Sequence, residues 1–267
     1  MKHLKRGLIA LNLLKDNLKL YIPDISFTLI LIILSVIFLK LIGLSDLAQP
    51  TLEQLTQIIK QDLVKIAVIT GIFILLLFLI SIQVSSMKLT MIKNIIQKKK
   101  TTIKEAFDES KTYYTKILSI KLLVLLLFLI PLFIVVILNF IIKISIIKII
   151  FFTLLTLVWL FITFLLVYKY PLLFLSKTKD PINVLKGSYN AVLKNKLFTF
   201  LAILTIILIF IISLIITFIF SLFNIQDVTL FAMIFNQIIA IILFVIQVTI
   251  SLTISIFLFL SFKELSS

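Results

Sequence analysis

The stretch ILSIKLLVLLLFLIPLFIVVILNFIIKISIIKIIFFTLLTLVWLFITFLLV, from Ile117 to Val167, decides the fold. It holds no Asp or Glu, and its only charges are Lys121, Lys143 and Lys148. As one helix at about 1.5 Å per residue it would run to more than twice the roughly 30 Å hydrocarbon core of a bilayer. Two antiparallel spans with a turn near Lys143 accommodate the same residues without leaving a greasy rod in water.

The same criterion, about twenty apolar residues per crossing, marks four further stretches. The six spans are Ile25 to Leu44, Ile66 to Met87, Ile117 to Ile142, Ile146 to Tyr168, Leu197 to Phe220 and Ile239 to Phe262. Composition agrees: 62% of the 267 residues are hydrophobic, 25 are Phe, and the mean hydropathy is +1.28. No water-soluble fold of this size could bury so much apolar surface, so lipid is the solvent. With 4 Gly and 5 Pro, and without alternating ten-residue segments, a β-barrel does not fit. The fold class is an all-α polytopic membrane protein of about six transmembrane helices, in a single membrane domain spanning 1–267.

Charge sets the orientation. Of 26 Lys and Arg, 21 fall in the N-terminal segment, between spans two and three, between spans four and five, and after span six, against 5 on the opposite side. Short Lys/Arg-rich loops stay cytoplasmic, which places both termini in the cytoplasm of a multi-pass protein of the cell membrane. The basic excess also explains itself this way. Nucleic-acid binding would need a solvated basic face with interleaved aromatics, which the pattern lacks. The N-terminus, with Lys2, Lys5, Arg6, Lys15, Asp16 and Lys19 among its apolar residues, does not read as a cleavable signal.

The basic segments have helical character. Leu4, Leu8, Leu11, Leu14 and Leu18 recur at steps of three and four, predicting an amphipathic interfacial helix over 2–20. Thr102-Ile-Lys-Glu105 is a capping box that opens a cytoplasmic helix over 102–115, and Asp180-Pro181 opens another over 181–194. Each closes near a polar tripeptide, at Asn17, Thr115 or Asn195, and leads into a span. This suggests a threefold repeat of amphipathic helix plus transmembrane hairpin. Outside, Pro50-Thr-Leu-Glu-Gln54 starts a further amphipathic helix.

Chemistry is sparse. Asp and Glu avoid every predicted span, which deprives an ion-coupled carrier of its usual relay. Lys40 and Lys121 sit near enough to span ends to snorkel. Asn236, Gln247, Ser251 and Ser255 form one polar stripe leading along the last span; helix packing is the favoured reading and a polar path the alternative. Pro131 predicts a kink in the third span, static rather than gating. Pro171, after Tyr168-Lys-Tyr170, is expected to mark a membrane exit with the tyrosines at headgroup level. Lys93, Lys98, Lys99 and Lys100 are candidate contacts for anionic lipid headgroups. Glu105, Asp108 and Glu109 are the one carboxylate cluster, better read as a salt-bridged helix surface than as a metal or catalytic site. Cysteine is absent and His3 is the sole histidine. No cofactor, metal site or catalytic motif is implied, so the chain is expected to be non-enzymatic and membrane-organising, its cytoplasmic helices contacting anionic membrane lipids or a protein partner. The rival expectation is a transporter or permease component built on the stripe and the Pro131 kink.

Asp180-Pro-Ile-Asn-Val-Leu-Lys-Gly-Ser-Tyr189, with Asn195-Lys-Leu-Phe198 before a span, resembles the glycerophosphoryl diester phosphodiesterase membrane domain and related six-helix families. Lys5-Arg-Gly-Leu-Ile-Ala10 through Leu20-Tyr-Ile-Pro23 is similar to the opening of such domains. The resemblance implies a six-helix layout over most of the chain. The hydrolase activity of that family belongs to a separate soluble domain, so none is implied here.

Overall fold

The computed structural model describes residues 2–43, 62–100, 102–141, 145–176, 178–221 and 230–266. Helix α1 (Lys2–Lys15) is followed by a 3-10 turn (Leu18–Tyr21), α2 (Ile22–Leu41), α3 (Leu63–Ile96), α4 (Ile103–Ile141) and α5 (Ser145–Leu165). Then come α6 (Lys169–Leu175), α7 (Pro181–Lys194), α8 (Lys196–Ser221) and α9 (Leu230–Ser266). No strand occurs among the described residues. Six helical segments are long and apolar enough to cross a membrane, and each expected span falls largely within one of them. The chain is an all-α, multi-pass membrane protein.

The helices α3, α4 and α9 have 34, 39 and 37 residues, far more than a crossing requires. At about 1.5 Å per residue, α3 is about 50 Å long and overshoots the bilayer core by roughly 20 Å. The overshoot is where the protein packs. Side chains of the apolar spans face outward, as Leu29, Ile33, Phe133 and Phe218 do, and none of the most apolar part of α3 is buried. The core instead gathers at one end, from Ile82, Ile92, Ile117, Ile120, Tyr168, Leu173, Val184, Leu252, Ile256 and Phe257. α3 packs on α2 and α4, α9 on α8 and α1, and α6 on α7.

Two boundaries differ from the sequence expectation. The predicted cytoplasmic helix over 102–115 and the span from Ile117 are one unbroken helix, α4. Tyr114-Thr-Lys-Ile117 contains neither Gly nor Pro, and polarity alone does not end a helix. Met87 likewise ends nothing; α3 runs on to Ile96. The helix continues through Pro131, and one turn away the Trp159 indole N–H donates to the Phe128 carbonyl at 3.2 Å, tying α5 to α4 beside the bond that proline removes. The turn at Lys143 and the helix expected from Pro50 lie outside the described residues.

The expected starts at Thr102 and Asp180 and the breaks at Asn17 and Asn195 are found. The Thr102 N–H donates to the Glu105 carboxylate at 2.9 Å, and the Glu105 N–H donates to the Thr102 hydroxyl at 3.2 Å, so the capping box is complete. Asp180 accepts from the Asn183 N–H at 2.9 Å, with Pro181 first in the helix. Asn17 and Asn195 break the chain in the same way. Each has φ near −130° and folds its side-chain amide back onto a carbonyl four residues earlier, Leu13 at 2.8 Å and Ala191 at 3.1 Å. The device recurs in the first and third expected units and is missing from the second, where α4 is continuous.

Replacing Asp180 with Ala leaves the Asn183 N–H without its acceptor, and should lower unfolding stability in micelles by about 1 kcal/mol. An unchanged denaturant midpoint would show that α7 is held by its packing alone.

Candidate functional site: the charged end of the bundle

The packed end of the bundle is also its ionic end. Lys88 on α3 donates to Asp24 at the start of α2 at 2.9 Å, with both side chains more than four-fifths buried. Farther along α3, Lys93 pairs with Glu109 of α4, whose second oxygen accepts the Asn94 amide at 2.8 Å. Arg6 of α1 pairs with Glu264 of α9 and lies over the Phe198 ring at 4.8 Å. Lys263 donates to the last-turn carbonyl Ile96 of α3 at 3.3 Å. Each contact joins two different helices, and Lys88 with Asp24, and the cations Arg6 and Lys93, lie where an unpaired charge would be costly.

Hydroxyls extend the same ties. Ser86 donates to the Ser110 carbonyl at 2.6 Å, Gln83 donates to the Ser110 hydroxyl at 2.9 Å, and the Tyr21 and Thr249 hydroxyls share a hydrogen at 2.7 Å. Lys121 turns inward to the Ser81 hydroxyl at 3.3 Å instead of snorkelling along the bilayer surface, because α3 offers an acceptor at its own depth.

Helix α6 wedges into this end. Phe174 stacks on Tyr113 at 4.2 Å, and Pro171 and Leu173 are buried. Tyr168 is fully buried against Phe262, at 5.9 Å between rings. Pro171 and Tyr168 are therefore core, not headgroup anchors. The chain leaves α5 at Leu165 and turns back under the bundle. Around the Tyr113 ring stand Lys93, Lys116 and Lys179 within 5.3–5.8 Å, and Lys179 donates to the Leu173 carbonyl at 2.7 Å. Burial, with Lys93 and Lys116 adding repulsion, pushes the Lys179 ammonium below the usual lysine range, a sign of the local positive field. Burial, with the Arg6 guanidinium beside it, also lowers His3.

The sequence candidates divide. Lys93 is 9% exposed and paired with Glu109, apart from the other three candidate lipid contacts. Lys98, Lys99 and Lys100 are exposed. With Lys15, Lys19, Asp16 and Glu105 they line an open cleft of about 750 Å³ between the 3-10 turn and the connection from α3 to α4. Lys98 ends α3 in the left-handed region, φ 57°, with its N–H on the Ile95 carbonyl and the Lys99 N–H on the Asn94 carbonyl, a paired closure that usually employs glycine. Asp108 pairs with Lys111 at 2.7 Å, and Glu105 is spent on its cap.

The polar stripe of α9 is split between exposed and half-buried positions. Val248, Leu252, Ile256 and Phe259 mark the buried face, whereas Gln247 and Ser251 are exposed and Asn236 and Ser255 only half-buried. Ser255 bonds its own helix, at the Ser251 carbonyl. Beside the stripe, Thr249 shares a hydrogen bond with Tyr21 of the 3-10 turn and Thr253 is buried. Among the described residues no three metal-ligating side chains converge.

Sequence reasoning missed the cross-helix pairs. A signal existed: in an antiparallel hairpin, Asp24 entering span one and Lys88 leaving span two lie at equal depth. Set against protein-family models, curated proteins and solved structures, the chain matches none.

Glu109→Gln removes the charge facing a buried ammonium and should cost about 1–3 kcal/mol of unfolding stability. Lys93→Met combined with Glu109→Leu should recover most of that loss, because a buried pair exchanged for apolar groups is close to neutral. If the double variant is as unstable as the single one, the pair does more than cancel its own desolvation.

Proposed function

We propose that this chain is a non-enzymatic membrane-organising protein of the cell membrane that gathers anionic lipid headgroups into its basic cleft. Its charged end and both termini face the cytoplasm, as the 21 to 5 distribution of basic residues favours. Kinship with six-helix membrane domains like that of glycerophosphoryl diester phosphodiesterases is part of this reading, at the level of layout. The observation that carries it is a sorting of cations: Arg6, Lys88 and Lys93 are paired and buried, whereas Lys98, Lys99 and Lys100 project into a cleft with Lys15 and Lys19. Juxtamembrane lysines are worth about 1 kcal/mol each toward an anionic leaflet. Lys98 adds a second argument. Glycine would hold its left-handed backbone with about 1 kcal/mol less strain, so the side chain is kept there against local preference. We favour this over the transporter or permease reading, since Gln247 and Ser251 of its stripe are exposed.

The purified chain in neutral micelles should gain thermal stability when phosphatidylglycerol is added and not with phosphatidylcholine. Inorganic phosphate, which shares the headgroup's charge without its anchor, should give little. Changing Lys98, Lys99 and Lys100 together to Gln removes about 3 kcal/mol, or roughly two decades of affinity for the anionic lipid. Stabilisation equal for both lipids, or intact in the triple variant, would remove the cleft from the function. Lys98→Gly should separate the two demands, raising lipid-free stability by about 0.5–1 kcal/mol while weakening the response to phosphatidylglycerol.

A further inference from the structure

A second concavity lies along α1. It has a volume of about 650 Å³ and is walled by α1, α8 and α9. Along α8 it runs from Thr205 to Ile216, eleven residues or about 16 Å of helix, which is half of a roughly 30 Å hydrocarbon core. On α9 it is bounded by Ile246 through Thr253. Its dimensions are those of a slot one leaflet deep.

The lining selects the occupant. Apart from isoleucines and leucines the walls offer Thr205, Thr249 and Thr253, and each hydroxyl donates to a carbonyl four residues back in its own helix, at 2.9, 2.7 and 2.8 Å. No polar group of the wall is left asking for a polar ligand. Gly7 of α1 opens the slot. It is buried, yet a Cβ built on it would meet nothing within 4 Å, so no tight helix contact requires glycine. A glycine in a helix interior is unfavourable relative to alanine, and what it leaves here is empty space. Charge completes the description. Leu4, Leu8 and Leu11 recur at steps of four and three, and four residues further the same face of α1 ends in the exposed Lys15, which belongs to the basic cleft.

We infer that the slot between α1, α8 and α9 holds one acyl chain of an anionic phospholipid, with the headgroup toward the basic side of α1. Here α1 acts as a clamp over a single lipid tail, its Leu4, Leu8 and Leu11 facing hydrocarbon and Lys15 facing the headgroup. The site shares Lys15 with the cleft and shares none of Lys98, Lys99 and Lys100. The two readings therefore fail separately.

The full chain is reconstituted in phosphatidylglycerol vesicles doped with a phosphatidylglycerol that carries a photoreactive group near the end of one acyl chain, and the labelled peptides are mapped. Labels should concentrate on 205–216 and 246–253 relative to 126–136 of α4, an equally apolar surface contributed by one helix. Gly7→Leu, which fills the slot from α1, and Ile212→Trp, which fills it from α8, should each abolish the slot labels and leave those on α4 unchanged. The Lys98, Lys99, Lys100 to Gln variant should keep them, whatever becomes of the cleft. A choline-headed probe of the same tail should label the slot less. Equal labelling of α4, persistence of slot labels in both filling variants, or equal labelling by the choline-headed probe would overturn the proposal.

Discussion

Hydrocarbon offers apolar helices no reason to associate, because lipid tails solvate leucine as well as another leucine does. Whatever gathers these spans must act elsewhere, and here it acts at one end. Asp24 with Lys88, Glu109 with Lys93 and Asn94, and Glu264 with Arg6 tie α2 to α3, α3 to α4 and α1 to α9. The exposure of Leu29, Ile33 and Phe133 along the spans is the complement of that arrangement. Their neighbour is the bilayer.

This explains why α3, α4 and α9 are so long. A helix that stopped at the membrane surface would bring only its lipid-facing length, and the ionic ties need protein around them that excludes water without being lipid. The overshooting turns of α3, α4 and α9, with α6 and α7 wedged among them, form such a medium from Ile92, Ile117, Leu173, Val184 and Phe257. Gly187 shows how tightly it closes, since a Cβ there would come within 2.8 Å of the Leu172 side chain. The ordinary hydrophobic effect operates in this region, and it carries the spans with it.

Much of the architecture was legible in the sequence because its signals are one-dimensional. Span number follows from run length, helix starts from Thr102-Glu105 and Asp180-Pro181, and breaks from Asn17 and Asn195. Faces were not legible. For a helix apolar all round, periodicity says nothing about which side meets a neighbour, so Gln247 and Ser251 were read as inward when Val248, Leu252 and Ile256 are. Polarity misled where it was taken as a boundary: Lys116 looks like the end of a surface helix, but nothing there interrupts the backbone of α4. Lys93 misled in a related way. Its neighbours Lys98, Lys99 and Lys100 suggested one solvated patch, whereas the last turn of α3 separates the buried partner of Glu109 from the exposed rim of the cleft. Composition cannot see that difference; depth along α3 decides it.

Lys98, at the end of α3, and Gly7, within α1, each break a local rule with no packing reward. Lys98 occupies a backbone conformation that suits glycine, and Gly7 occupies a helical position that suits almost anything else. Two other glycines answer a backbone or packing demand, the positive φ of 77° at Gly43 and the close approach of α6 and α7 at Gly187, while the open position of Gly71 is exposed on a span and that of Gly7 is buried. Sequences that specify one fold keep local and global choices consistent, and departures concentrate where something besides folding is selected. One departure adds a charge that the fold does not need and the other removes volume that the fold could fill. A phospholipid has both a charge to be met and a volume to be housed.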